Sequence, residues 1–142
     1  MSLTFDVPVM NVDATLTAVT LIDPAGMPSR VIDTDTGFQV RVDWQLTGPG
    51  VLFLGGSWTV RALVESIGAG FEGQIGPTMV QPLNGGNNYS TIINVAAHSV
   101  PPPPNTDTVY KLVVLVSHTA VNGVKTEMAG FGDGPVFEIR NP

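Results

Sequence analysis

Residues 38–47, FQVRVDWQLT, leave this chain few ways to fold. Phe38, Val40, Val42, Trp44 and Leu46 alternate without a break with Gln39, Arg41, Asp43, Gln45 and Thr47. A strand puts the five apolar side chains on one face, whereas a helix would scatter them around its circumference. The stretch predicts a central strand with one buried and one wet face, with Trp44 as its largest contribution to the core.

Around it the chain reads as more strands. Residues 15–22 (TLTAVTLI) are β-branched and apolar, and the turn chemistry of Asp23-Pro24-Ala25-Gly26 stops them. Trp58, Val60, Ala62 and Val64 alternate against Thr59, Arg61, Leu63 and Glu65, which predicts a second core strand over residues 58–66. Residues 67–88 are rich in Gly, Pro and Asn. They hold one weak strand near residues 78–81, which Pro82 assigns to a sheet edge. Tyr89, Thr91, Ile93 and Val95 share a face of a strand over residues 89–95. Residues 96–108 form a loop whose four prolines, Pro101 to Pro104, favour stiff polyproline II. Residues 109–118 (VYKLVVLVSH) are the most apolar strand and are expected to be covered on both faces. Asn122-Gly123 is the strongest hairpin signal, and residues 135–139 form the last strand. About seven short strands with no helix-period stretch predict an all-β protein, a two-sheet antiparallel β-sandwich, because each strand can bury a face only against a second sheet.

The 142 residues fit one domain, expected over residues 13–142 and preceded by an extended arm over residues 1–12. At this size roughly 68–70% of the unfolded chain's surface is buried. With no Cys, disulfides, thiolate metal sites and cysteine nucleophiles are excluded, but the compartment stays open. Residues 1–11 show no basic leader with an apolar core, and no apolar run approaches the ~20 residues of a membrane span. Twelve acidic residues against six dispersed basic ones give a net charge of −6, which argues against nucleic acid as a partner. Charged residues make up 13% of the chain, against about 25% in an ordinary soluble domain. With a mean hydropathy of +0.24, so neutral an exterior predicts that part of it is covered by copies of the chain or by another protein.

Three pieces carry a resemblance to fibronectin type III and, more broadly, immunoglobulin-like domains. Val42-Asp43-Trp44 resembles their tryptophan-bearing B strand, residues 58–65 their C strand, and Thr108-Val109-Tyr110-Lys111-Leu112 the start of strand F. The resemblance implies a tyrosine corner at Tyr110, whose hydroxyl would bond back to the preceding loop. Pro104 and Thr106 stand where the family usually has Leu and Pro. Such sandwiches serve as spacers, adhesins, receptors and enzyme accessories, so the resemblance bears on fold rather than activity.

Chemical motifs are thin. Gly68-Ala69-Gly70-Phe71-Glu72-Gly73 matches the dinucleotide glycine pattern, but Gln74-Ile75-Gly76-Pro77 cannot open the helix that would hold a pyrophosphate. Asp33 and Asp35 have the spacing that begins some calcium loops, without the further acids such a loop needs. His98 and His118 would need a carboxylate such as Asp107 or Glu127 to make a zinc site. Ser66, Ser90 and Ser117 lack any acid/base pattern, and Asn88-Tyr89-Ser90 fits a glycosylation sequon.

Together these features predict a non-enzymatic structural or interaction protein without catalytic, cofactor or metal residues, whose partner is protein and most simply itself. Its contact row is expected to be Leu3, Phe5, Val7 and Val9, an extended arm that adds a strand to a neighbour. The alternative is a module that recognises a glycan or peptide through the Gly/Asn-rich loops at residues 68–76 and 84–88.

Overall fold

The computed structural model describes residues 3–4, 13–67, 71–100 and 108–140, with the backbone alone at residues 3–4, 13, 52–53 and 125–128. Within them the chain forms β1 (Leu3–Thr4), β2 (Asp13–Ile22), β3 (Val31–Asp33), β4 (Phe38–Thr47), a 3-10 turn (Pro49–Phe53), β5 (Ser57–Ser66), β6 (Gly73–Pro82), β7 (Asn88–Val95), β8 (Thr108–Thr119) and β9 (Lys125–Arg140). No helix among the described residues is long and apolar enough to cross a membrane.

The strands make two sheets. One runs β1-β2-β4-β7, three long strands with the two-residue β1 at its edge; the other runs β3-β9-β8-β5-β6. All seven expected strands are present, and β4 has the bounds read from its alternation. The additions are the short β1 and β3, and β3 departs from the antiparallel expectation by running parallel to β9. Both β6 and β9 are longer than expected. Their glycines and prolines depress strand propensity, but β6 pairs along β5 and β9 along β8, and a formed neighbour holds residues that would not be extended alone. As Pro82 implied, β6 is an edge strand.

Residues on the inner faces build one core. Trp44 and Tyr89 lie directly opposite each other on β4 and β7, and their rings stack at 5.8 Å. Across the gap between the sheets Trp44 meets Trp58 of β5 edge to face at 6.2 Å. Towards the other end Phe137 bridges Phe38 at 6.2 Å and Tyr110 at 6.0 Å. Aromatic pairs in these orientations add about 0.5–1.5 kcal/mol each beyond the area they bury.

Asn122-Gly123 does mark the β8–β9 hairpin, in a three-residue form. The Gly123 N–H donates to the Ala120 carbonyl at 2.9 Å, and Gly123 takes the left-handed position at φ 84° while Asn122 keeps a negative φ. A two-residue loop with Asn122 as its first central residue would need positive φ at Asn122 itself, in either of the favoured hairpin turns. The expectation that residues 109–118 are covered on both faces is corrected. Even-numbered residues of β8 are buried, whereas Val109 is exposed and Lys111, Val113, Leu115 and Ser117 are only half-buried. No second layer among the described residues covers that side.

Candidate interaction surface

The uncovered face of β8 belongs to a larger surface. Residues directly opposite in antiparallel strands project to the same side of a sheet. Leu115 lies between Arg61 of β5 and Phe131 of β9, and Val113 lies between Leu63 and Asp133. These six side chains form the middle of the outer face of the five-stranded sheet. Leu63, Val113 and Leu115 are half-buried, but Phe131 is 60% exposed, and Val136, opposite Lys111, is 43% exposed. Leu63, Val113, Leu115 and Phe131 thus make a continuous apolar diagonal.

Charge lies beside the diagonal rather than on it. Asp133 accepts an ion pair from Lys111 at 3.0 Å. Arg61 stands on the other side with no ion pair among the described residues. The opposite side of the sandwich is chemically different. Gln39 donates to Asn94 Oδ1 at 2.9 Å, Arg41 pairs with Asp43 at 3.2 Å, and Gln45 and Ser90 lie on the same face, with Ile92 opposite Arg41 as its exposed apolar side chain. This face is mainly polar, whereas the five-stranded face presents an aromatic ring to water.

Leu3 of the expected contact row pairs antiparallel with Leu16 of its own chain, and Phe5, Val7 and Val9 lie outside the described residues. What the sequence reading missed is the sheet face. Its signal was present as Leu63 on the wet side of an alternating strand and as the apolar odd-numbered residues of β8.

The remaining motifs resolve into structure. Residues 68–70 of the glycine motif lie outside the described residues, and Gly73 opens strand β6 rather than a helix. His118 is 2% exposed, edge-on to Trp58 at 5.3 Å, with Nε2 at 2.7 Å from the Gly55 carbonyl oxygen. A carbonyl only accepts, so Nε2 carries the hydrogen and the ring clamps the start of β5. His98 is exposed at the far end of the sandwich, where its N–H donates to the Thr34 carbonyl at 2.8 Å. Most of β8, roughly 33 Å for ten residues, separates the two histidines, so they do not form one site. Asp107 lies outside the described residues, and only the backbone of Glu127 is described. Asp33 opens and Asp35 lies within a turn in which the Thr36 N–H and hydroxyl both reach the Asp33 carbonyl. Among the described residues no three His, Cys, Asp or Glu side chains converge as a metal site would require. The melting temperature is therefore expected to be the same in EDTA and in excess calcium, because a cation bound only to the folded state would raise it. A calcium-dependent rise of several degrees would make Asp33 and Asp35 ligands.

No protein-family model and no curated protein matches the chain. Solved structures similar to it include β-glucosidase from Listeria innocua in complex with glucose, at 8% identity and a TM-score of 0.48 over 90% of this chain. A mutant of that enzyme in complex with laminaribiose is similar at 8% identity and a TM-score of 0.49 over 92% of this chain. In both cases the chain spans 16% of the other chain's length.

Proposed function

We propose that this chain is a non-catalytic structural β-sandwich of the fibronectin type III or immunoglobulin-like kind, which assembles with copies of itself through the outer face of its five-stranded sheet. The exposed Phe131, set in the apolar diagonal of that face, carries the reading. Burying such a side chain gains about 1.5–3 kcal/mol, and a chain with 13% charged residues has little else with which to bind. The fold kind draws support from strand order. The strands that resemble C and F, β5 and β8, are neighbours in one sheet, and the strand that resembles B, β4, lies in the other. Tyr110 is fully buried against Phe137, as a tyrosine corner would be, although residues 101–107 lie outside the described residues.

Recognition of a glycan or peptide by the Asn-rich loop has less behind it. Asn87 spends its side-chain amide on the Leu46 carbonyl at 2.8 Å, and Asn84 Oδ1 accepts from the Gly86 N–H at 2.8 Å. The first bond holds the loop to the end of β4 and the second closes a turn within the loop, so neither group faces a ligand.

The test is sedimentation velocity across micromolar concentrations for the parent and for Phe131→Glu. The parent should sediment as an assembly. Phe131→Glu should run as a folded monomer, with a cooperative melt that is lower than the parent's only by what association adds. A parent that stays monomeric would remove the self-assembly reading.

A further inference from the structure

We infer that the assembly is a closed two-fold dimer in which Arg61 of each copy pairs with Asp133 of the other. This inference rests on the self-assembly reading and specifies its geometry. Leu63 and Phe131 are opposite corners of the central patch, and Arg61 and Asp133 are the other two, with Val113 and Leu115 between them.

Neighbouring strands lie about 4.8 Å apart, and same-face residues along one strand lie roughly 6.6 Å apart, so the four corners make a rectangle of about 10 by 7 Å. A two-fold axis lying in the interface along the apolar diagonal returns Leu63 and Phe131 close to their own positions. In projection it also carries the Arg61 corner of one copy to within about 4 Å of the Asp133 corner of the other, and across the ~10 Å between stacked sheets the guanidinium on its long stem and the carboxylate together span the gap. Apolar side chains then meet apolar side chains at the centre, and each guanidinium meets a carboxylate at the flank. The same operation crosses the strands of the two sheets at roughly 70°, close to the orthogonal way of packing sheets face to face.

The alternatives fit less well. An axis along the strands sets Asp133 over Leu63, and an axis across them sets Asp133 over Phe131; both cover a carboxylate with an apolar group, which costs unless it is paired. An axis along the other diagonal sets Arg61 against Arg61 and Asp133 against Asp133, which is repulsive. Asp133 keeps Lys111 as a neighbour in its own copy, so the arriving Arg61 completes a three-charge cluster without leaving a charge unpaired.

Crossed at roughly 70°, two faces four long strands wide overlap over roughly 400 Å² per copy in projection, about half of the ~800 Å² per partner found in standard interfaces and so the size of a weak, concentration-dependent contact. A two-fold contact uses the same patch on both partners, so assembly stops at two.

The test uses single charge reversals of the full chain. Arg61→Asp sets two carboxylates against each other at each flank, and Asp133→Arg sets two guanidinium groups there, so each variant alone should lose association by about a hundredfold or more. Mixed one to one, the two variants can place an opposite pair at both flanks: at one the two native groups are lost and their charges exchanged, at the other they are kept. A mixed dimer should therefore form with close to parental affinity. Native mass spectrometry reads this directly once the two variants carry different isotope labels, and melting curves check that each is folded.

A parent dimer, two monomeric variants and a mixed dimer support the inference. Single variants that dimerise like the parent, folded variants that stay monomeric when mixed, or a parent that grows beyond two copies would each overturn the two-fold pairing, while leaving the face in place if Phe131→Glu still abolishes assembly. A monomeric parent would instead remove the reading on which the pairing rests.

Discussion

Truncating Trp44 to Ala should lower stability by on the order of 3–5 kcal/mol, the range for a large aromatic taken out of a core. Two ring partners are lost together, the stacked Tyr89 and the edge-on Trp58, one in each sheet. The side chain is 1% exposed and lies on the strand between β2 and β7, so neither water nor a loop can fill the space easily. One term opposes the loss. The indole N–H has no acceptor among the described residues, and a buried unsatisfied donor costs about 1–3 kcal/mol. Trp44→Phe removes that donor and keeps a ring, so it should cost clearly less than Trp44→Ala. Domains of this kind have roughly 5–15 kcal/mol in total, so the Ala variant should unfold at a much lower urea concentration. An Ala midpoint equal to the parent's would mean that the two sheets do not depend on this contact.

A second large effect is expected at Gly56, and its size comes from a carbonyl rather than from a lost contact. Gly56 enters β5 at φ 95°, a conformation that L side chains rarely adopt, and a Cβ there would overlap the Thr119 carbonyl oxygen of β8. Its own carbonyl accepts the Leu83 N–H at 3.0 Å, so the backbone cannot turn away freely. Gly56→Ala should cost about 3 kcal/mol or more, from left-handed strain together with displacement of β8. Gly123 is the matched control. It has a similar positive φ of 84°, but nothing lies within 4 Å of an added Cβ. Its Ala variant should show only the backbone term, about 1–2 kcal/mol. In thermal melts the first should fall by ~10 °C or more and the second by a few degrees. Equal losses would show that backbone conformation alone, and not the approach of Thr119, sets the requirement for glycine.

Local pattern and tertiary pairing contributed differently to what could be read from the chain. The bounds of β4 were legible because both of its faces are declared within ten residues, and period-two burial has one solution. The burial of Trp44 and Trp58 and the edge position of β6 followed from the same kind of local rule. The full lengths of β6 and β9 were not legible. Gly130 and Gly132 read as loop until β8 lies alongside, with Val116 and Val114 opposite them in a ladder that offsets their poor propensity. The outer face of the five-stranded sheet was half legible. An apolar residue on the wet side of β5 and apolar residues on both sides of β8 mark a face that is not plainly polar, but alternation within one strand carries no information about its neighbours. Alternation and composition by themselves determined that this chain is an all-β, two-sheet protein with a sparsely charged exterior. That Leu63, Val113, Leu115 and Phe131 fall in one line, flanked by Arg61 and Asp133, was decided by the registers of β5 and β9 on β8, since a shift of one residue would turn those side chains to the other face.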